Sequence, residues 1–155
     1  MQFINYFFAS LVSFAGLLIG LILVKIAPEE QKPLQRYFVL IRKILLLMIF
    51  IFLSFYHFEN YSYMPTLFAN FLFLLFIEHK INDSSKKSMI IYSILGILFF
   101  LSSKNTNLFA IESSLILLYG LPTASLICSR KEKNIYKIIF YNFGFIIISN
   151  LLFFI

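Results

Sequence analysis

The sequence predicts an all-α fold, a polytopic bundle of about six transmembrane helices with both termini on the extracytoplasmic side. Three observations carry this prediction. Of the 155 residues, 61% are hydrophobic and only 13% are charged, whereas soluble domains carry about 25% charged residues. The hydrophobic residues stand in long runs, several of which match the length of a bilayer crossing. The charged residues are concentrated between these runs, and most of them are basic.

The polar breaks between the hydrophobic runs predict a single transmembrane helical domain over residues 1–155. Pro28 ends the first run, and Pro33 suits the first turn of the next helix. The predicted spans cover about residues 3–27, 37–57, 64–80, 88–103, 108–129 and 138–155. The third and fourth spans are shorter than the ~20 residues of a usual crossing. A re-entrant hairpin at these two spans, with four full crossings elsewhere, is therefore the alternative.

The first span carries a stripe of small residues on one helix face. The stripe consists of Ala9, Ser13, Gly16, Gly20 and Ala27. Gly16 and Gly20 form a GxxxG pair, which lets a second helix backbone approach closely. We expect the stripe to be a helix–helix contact, either within one chain or between two copies. Leu17 lies about 100° away from the stripe and is expected to tolerate substitution.

The distribution of basic residues predicts the orientation of the bundle. Of the 13 Lys and Arg residues, all except Lys104 fall in the loops after spans one, three and five, or at the helix ends beside them. Short loops rich in Lys and Arg stay in the cytoplasm. We therefore expect an integral membrane protein whose basic loops are cytoplasmic.

A small set of polar or ionisable residues could form a functional site. The candidates are Glu112, Asn70, Glu78, His79, Glu29 and Glu30. Glu112 lies about one turn inside the fifth span, and an acid within a span is a functional candidate by default. We expect a structural role for it, with the carboxylate held by the helix N-terminus or by Lys104. Asn70, Asn142 and Asn150 are expected to form hydrogen bonds between helices.

Glu78 and His79 are expected to lie at the cytoplasmic end of the third span. Adjacent residues on a helix point about 100° apart, so this pair alone is a poor chelate. Glu29 and Glu30 are at the same level, in the turn after Pro28. We expect a solvated helix end and a solvated turn rather than a metal site at this level.

The sequence indicates which chemistries the chain is poorly equipped for. It contains one Cys, no HExxH pair and no Gly-rich phosphate loop, so we expect no cofactor and no metal. The basic residues sit at the ends of hydrophobic runs rather than on a soluble face, which argues against a nucleic-acid partner. The bilayer itself is the expected partner, together with further copies of the chain or a larger membrane complex.

Three classes of function fit this pattern. The favoured class is a non-catalytic membrane subunit or scaffold that packs through helix–helix contacts. The alternative is a small oligomeric transporter or channel, with Glu112, Asn70 and a kink at Pro122 lining a path. The third is a lipid-modifying membrane enzyme, which needs five residues to converge at the cytoplasmic face, namely Glu29, Glu30, Arg36, Glu78 and His79.

Overall fold

The structure, a computed structural model, describes residues 2–29, 31–56, 64–81, 83–130 and 134–154. Within these ranges the chain forms seven α-helices and no strand, which confirms the predicted all-α class for this part of the chain. The helices are α1 (Phe3–Ile26), α2 (Gln31–Tyr56), α3 (Met64–Lys80), α4 (Ser84–Ser102), α5 (Thr106–Arg130), α6 (Ile135–Asn142) and α7 (Gly144–Phe153).

Five segments of the described chain are long and apolar enough to cross a membrane. They are Phe3–Ile26, Pro33–Tyr56, Ser84–Ser102, Thr106–Cys128 and Ile135–Phe153, the last of which combines α6 and α7. These apolar helices are consistent with an integral membrane location. The shorter α3 has 17 residues, which extend over about 26 Å at 1.5 Å per residue.

Two helices begin earlier than the hydrophobic runs predict, because a polar side chain caps each of them. The Asp83 carboxylate accepts a hydrogen bond of 3.0 Å from the main-chain N–H of Ser85, so α4 begins at Ser84 and not at residue 88. The Asn105 side chain accepts from the N–H of Asn107 at 3.0 Å. As a result, α5 begins at Thr106. Asp and Asn are among the most favourable N-cap residues.

The last predicted span is interrupted at Phe143, which separates α6 from α7. The Phe143 N–H donates to the Phe140 carbonyl, an i to i−3 bond of 3.3 Å that tightens the turn. Gly144 follows directly, and glycine is unfavourable within helices. The side chain of Asn142 donates to the Ile138 carbonyl at 2.8 Å. The expectation that Asn142 bonds to another helix is therefore not met, because its amide donates within α6 and its Oδ1 has no hydrogen-bond partner among the described residues.

The most extensive helix pair is formed by α1 and α5, which run parallel. The Ser13 hydroxyl of α1 donates to the Ser113 carbonyl of α5 at 3.1 Å. Two turns later, Gly20 lies beside Leu121 and Ala124. Residue numbers thus rise together along both helices, with an offset of about one hundred residues, so α1 and α5 point in the same direction.

Ring contacts give the direction of α4, which runs antiparallel to α1. Phe14 of α1 meets Tyr92 of α4 with 6.2 Å between ring centroids. Tyr6, two turns earlier on α1, meets Phe99, which is two turns later on α4, at 5.1 Å. In the same way α7 runs antiparallel to α1, because Tyr6 also meets Phe153 at 4.6 Å.

The direction of α2 follows from its neighbours. It begins four residues after α1 ends and then packs extensively along α5. Because α5 is parallel to α1, α2 must run back along it in the opposite direction. Consequently α2 and α4 point the same way, and the chain must return between Tyr56 and Ser84. The helix within that return is α3, which contacts α2 through the Phe50 and Phe71 rings at 4.9 Å.

Aromatic side chains fill the space enclosed by α1, α4, α5 and α7. Phe99 is fully buried and its ring lies 4.8 Å from that of Phe109 and 5.5 Å from that of Phe145. Around this centre are further buried rings, from Tyr6, Phe14, Tyr92 and Tyr119. Large rings of this kind fill the centre of the four-helix group from the level of Tyr6 to that of Tyr119.

Candidate functional site

The small residues of α1 lie where this helix meets α5. A Cβ built on Gly16 would overlap the carbonyl oxygen of Leu117. A Cβ built on Gly20 would lie 2.7 Å from the Cβ of Ala124, which is closer than real side chains approach. The two helix backbones are thus in direct contact at these positions. Of the rest of the stripe, Ser13 is buried, Ala9 is half-buried against the core, and Ala27 is the C-cap of α1.

The opposing surface of α5 has the same character as the stripe. A Cβ built on Gly120 would overlap the main-chain nitrogen of Leu17. Gly120 and Ala124 are separated by three residues, as Gly16 and Gly20 are. Two motifs of the small-xxx-small kind therefore face each other. The sequence carried this signal, because Gly120 and Ala124 lie on one face of α5.

Leu17 lies off the stripe but is not a lipid-facing residue. Its side chain is fully buried, and its main-chain nitrogen is next to Gly120. The physical reason is that a helix packed on several sides buries much more than one stripe. The lipid-facing positions of α1 are instead those such as Val12 and Ile22, each 56% exposed.

Polar side chains link α1 to α7. The Tyr6 hydroxyl donates to the Ser149 carbonyl at 2.9 Å. One turn further along α1, the Ser10 hydroxyl accepts a hydrogen bond of 3.1 Å from the amide of Asn150. The interhelical bond expected for Asn150 is thus present. These bonds satisfy buried polar groups in a medium that offers few alternatives.

Glu112 is completely buried, with none of its surface exposed. Neither carboxylate oxygen has a hydrogen-bond partner among the described residues. The residue lies six positions after the start of α5, about 9 Å along the helix axis. It is at the level of Ser13, since the next residue, Ser113, accepts the Ser13 hydrogen bond.

The expected partners of Glu112 do not hold its carboxylate in this arrangement. The side chain of Lys104 is exposed, whereas Glu112 points into the protein interior. The N-terminus of α5 is capped instead by the Asn105 side chain, which takes the N–H groups of Asn107 and Leu108. A carboxylate one and a half turns further along the helix is beyond the reach of those groups.

The remaining candidates do not assemble into a described cluster. Glu29 is exposed in the turn after α1, and Arg36 is exposed in the second turn of α2. Glu30 lies outside the described residues, as do the side chains of Asn70, Glu78 and His79. The described part of the chain contains no group of three His, Cys, Asp or Glu side chains that could hold a metal ion.

Two of the basic side chains that the structure describes are buried, which the sequence did not predict. Arg42 is 3% exposed and Lys87 is 7% exposed. Both interact with other residues of the chain. Arg42 belongs to the face of α2 that also carries the buried residues Leu46, Ile49 and Leu53, so this helix presents a charge and a row of aliphatic side chains to the interior.

An apolar groove of about 310 Å³ lies between α1, α2 and α5. Gly20 and Val24 of α1, Phe38 and Leu45 of α2, and Leu121 and Pro122 of α5 contribute to its walls. Further lining residues, among them Leu23, Ile41 and Leu118, are exposed. The groove therefore opens on the outer surface of the bundle rather than into its centre.

Comparison of this chain with protein-family models, with curated proteins and with solved structures finds no match. The function must accordingly be argued from the arrangement of the chain itself. That arrangement consists of a packed interior, a buried carboxylate and an apolar groove on the outer surface.

Proposed function

We propose that this chain is a non-catalytic membrane subunit, a scaffold that packs in the bilayer with further copies or with a larger partner. One observation carries the proposal, namely the filling of the four-helix centre by aromatic rings. Phe99, at this centre, contacts rings from three other helices, those of Tyr6, Phe109 and Phe145. Side chains packed in this way leave little room for a substrate or for a water-filled path.

The proposed scaffold crosses the membrane six times, with α3 as the third crossing. The support comes from helix directions. Since α2 and α4 point the same way, the segment between them has to travel the full height of the bundle. The 17 residues of α3 supply about 26 Å of that distance, close to the ~30 Å of the hydrocarbon core. In the re-entrant alternative α2 and α4 would also point the same way, but α4 would reach only part of the bundle height, whereas its 19 residues extend over about 28 Å.

The proposed orientation places the basic end of the bundle in the cytoplasm and both termini outside. With six crossings, the ends of α1, α3 and α5 lie at one end of the bundle. Ten of the 13 Lys and Arg residues belong to that end, Arg42 and Lys43 lie near the middle of α2, and only Lys104 belongs to the other end. A bias of this size is what the positive-inside rule requires of a cytoplasmic face.

Cross-linking in native membranes tests the scaffold role. Membranes containing the full-length chain are treated with an amine- or carboxylate-reactive cross-linker, extracted in mild detergent and analysed by mass. The proposal predicts species that contain at least two chains or one chain with a constant partner. Phe99→Ala, which opens the aromatic centre, should weaken those species, whereas Phe140→Ala, at a 78% exposed position, should leave them unchanged. A chain that stays single in membranes would contradict the proposal.

The second candidate function is transport, and Glu112 is the observation that favours it. A carboxylate buried within a span is costly and is often part of an ion or proton path. Proteoliposomes containing the full-length chain and a pH-sensitive dye inside would report proton flux. The scaffold proposal predicts no flux above that of empty liposomes. Flux that is present in the unmodified protein and lost in a folded Glu112→Gln variant would favour transport.

A further inference from the structure

The apolar groove between α1, α2 and α5 has room for a hydrocarbon chain. Its volume is about 310 Å³. A single-file hydrocarbon chain is narrow enough, and the exposed lining residues leave the groove open to the surrounding lipid.

The groove lies at the level of the bundle where basic side chains are exposed, and this indicates that its occupant has a negatively charged group. Its residues come from the last two turns of α1 and the second to fourth turns of α2. These turns also carry Lys25, Arg36 and Lys43, all of which are exposed. Two described acids lie at this end of the bundle, Glu29 in the turn between the two helices and Asp83 at the start of α4.

Basic side chains near a membrane surface attract anionic headgroups, and each contributes about a fivefold preference. Their flexible stems also allow the charged ends to reach the headgroup level from positions beside a span. We propose that the groove binds one acyl chain of an anionic phospholipid, whose phosphate is held by Lys25 and Arg36. This inference goes beyond the scaffold role and does not depend on it, since a transporter or an enzyme could bind the same lipid.

The groove has a structural origin in the contact between α1 and α5. Glycine has no side chain, so the groove is deep at Gly20, and a side chain added there would disturb the contact with Ala124. The groove is therefore a consequence of the close α1–α5 contact, and lipid is the nearest material that can fill it.

Fluorescence quenching by brominated lipids tests the proposal, because the chain contains no Trp. A Phe38→Trp variant places a single reporter in the groove wall, and Leu45→Trp is a second reporter in case the first fails to fold. The matched control is Phe140→Trp. That position lies six residues into α6, at a depth similar to Phe38 in α2, and faces away from the protein. Each full-length variant is reconstituted in phosphatidylcholine with brominated phosphatidylglycerol or brominated phosphatidylcholine at equal mole fraction.

The proposal predicts that brominated phosphatidylglycerol quenches the groove reporter more strongly than brominated phosphatidylcholine does. This preference should fall by about fivefold for each charge removed in Lys25→Gln and Arg36→Gln. Lys104→Gln, at the other end of the bundle, should leave it unchanged, and the Phe140→Trp reporter should show no preference. Equal quenching of the groove reporter by both lipids would overturn the proposal. Quenching by neither lipid would also overturn it, because a protein side chain would then fill the groove.

Discussion

Gly16 and Gly120 lie against each other where α1 passes α5. A Cβ built on Gly120 would stand 2.5 Å from the carbonyl carbon of Gly16. The contact is therefore one of backbone against backbone, with no side chain between the two helices. In a membrane, where lipid tails are as apolar as Leu, such close dispersion contacts are a main source of helix association.

The first prediction concerns this contact. Gly16→Ile and Gly120→Ile should each lower the free energy of unfolding in detergent by about 3 kcal/mol, the upper part of the range for overpacking. The reason is that the added atoms meet main chain, which cannot move aside as a flexible side chain can. Thermal unfolding followed by circular dichroism gives the measurement.

Ala110→Ile is the control for these variants. It makes the same kind of change on α5, but at an exposed position, and should alter stability by less than about 0.5 kcal/mol. Equal losses of stability at Gly16, Gly120 and Ala110 would mean that a larger side chain at any position disturbs the bundle. If none of the three substitutions lowered the stability, α1 and α5 would not be in contact.

The second prediction concerns the link between α1 and α7. Tyr6→Phe removes the hydroxyl that donates to the Ser149 carbonyl at 2.9 Å. The Ser149 carbonyl remains part of α7 in this variant, so the free energy of unfolding should fall by only about 1 kcal/mol. Tyr37→Phe, at a 63% exposed position, should not change the free energy of unfolding measurably. A loss of the same size at both positions would argue against a specific bond at Tyr6.

The third prediction concerns the stability effect of Glu112. A buried polar group without a hydrogen bond costs about 1–3 kcal/mol. Glu112→Leu removes both oxygens and should stabilise the protein by about 1 kcal/mol, whereas Glu112→Gln should leave its stability nearly unchanged. Chemical unfolding in mixed micelles measures both. Destabilisation by Glu112→Leu would show that the carboxylate has a partner that it needs.

Much of the fold could be predicted from the sequence, because hydrophobic run length and charge placement act locally along the chain. The all-α class follows from these runs, as do five of the segments able to cross a membrane. Helix ends were less predictable. Asp83 and Asn105 extend α4 and α5 beyond the hydrophobic runs, since a cap depends on one side chain rather than on mean polarity.

The site was harder to predict, because it depends on which helices become neighbours. The small residues of α1 were visible in the sequence, yet nothing local identified Gly120 and Ala124 as the surface they meet. The burial of Arg42 also could not be predicted from the sequence, because the charged end of a basic side chain near a span end usually reaches water. The burial of Leu17 could not be predicted for the same reason, since it depends on which helices pack around α1.

The most direct test of the proposed bundle is the side of the membrane on which three positions lie. In a Cys128→Ser background, single cysteines are introduced by Gln2→Cys, Lys86→Cys and Asn107→Cys, all at exposed positions near helix starts. Intact cells are treated with a membrane-impermeant maleimide, before and after permeabilisation. Six crossings with the basic end in the cytoplasm predict labelling of Gln2→Cys and Asn107→Cys from outside, and of Lys86→Cys only after permeabilisation. Labelling of all three from the same side, or of Gln2→Cys and Asn107→Cys from opposite sides, would contradict the account.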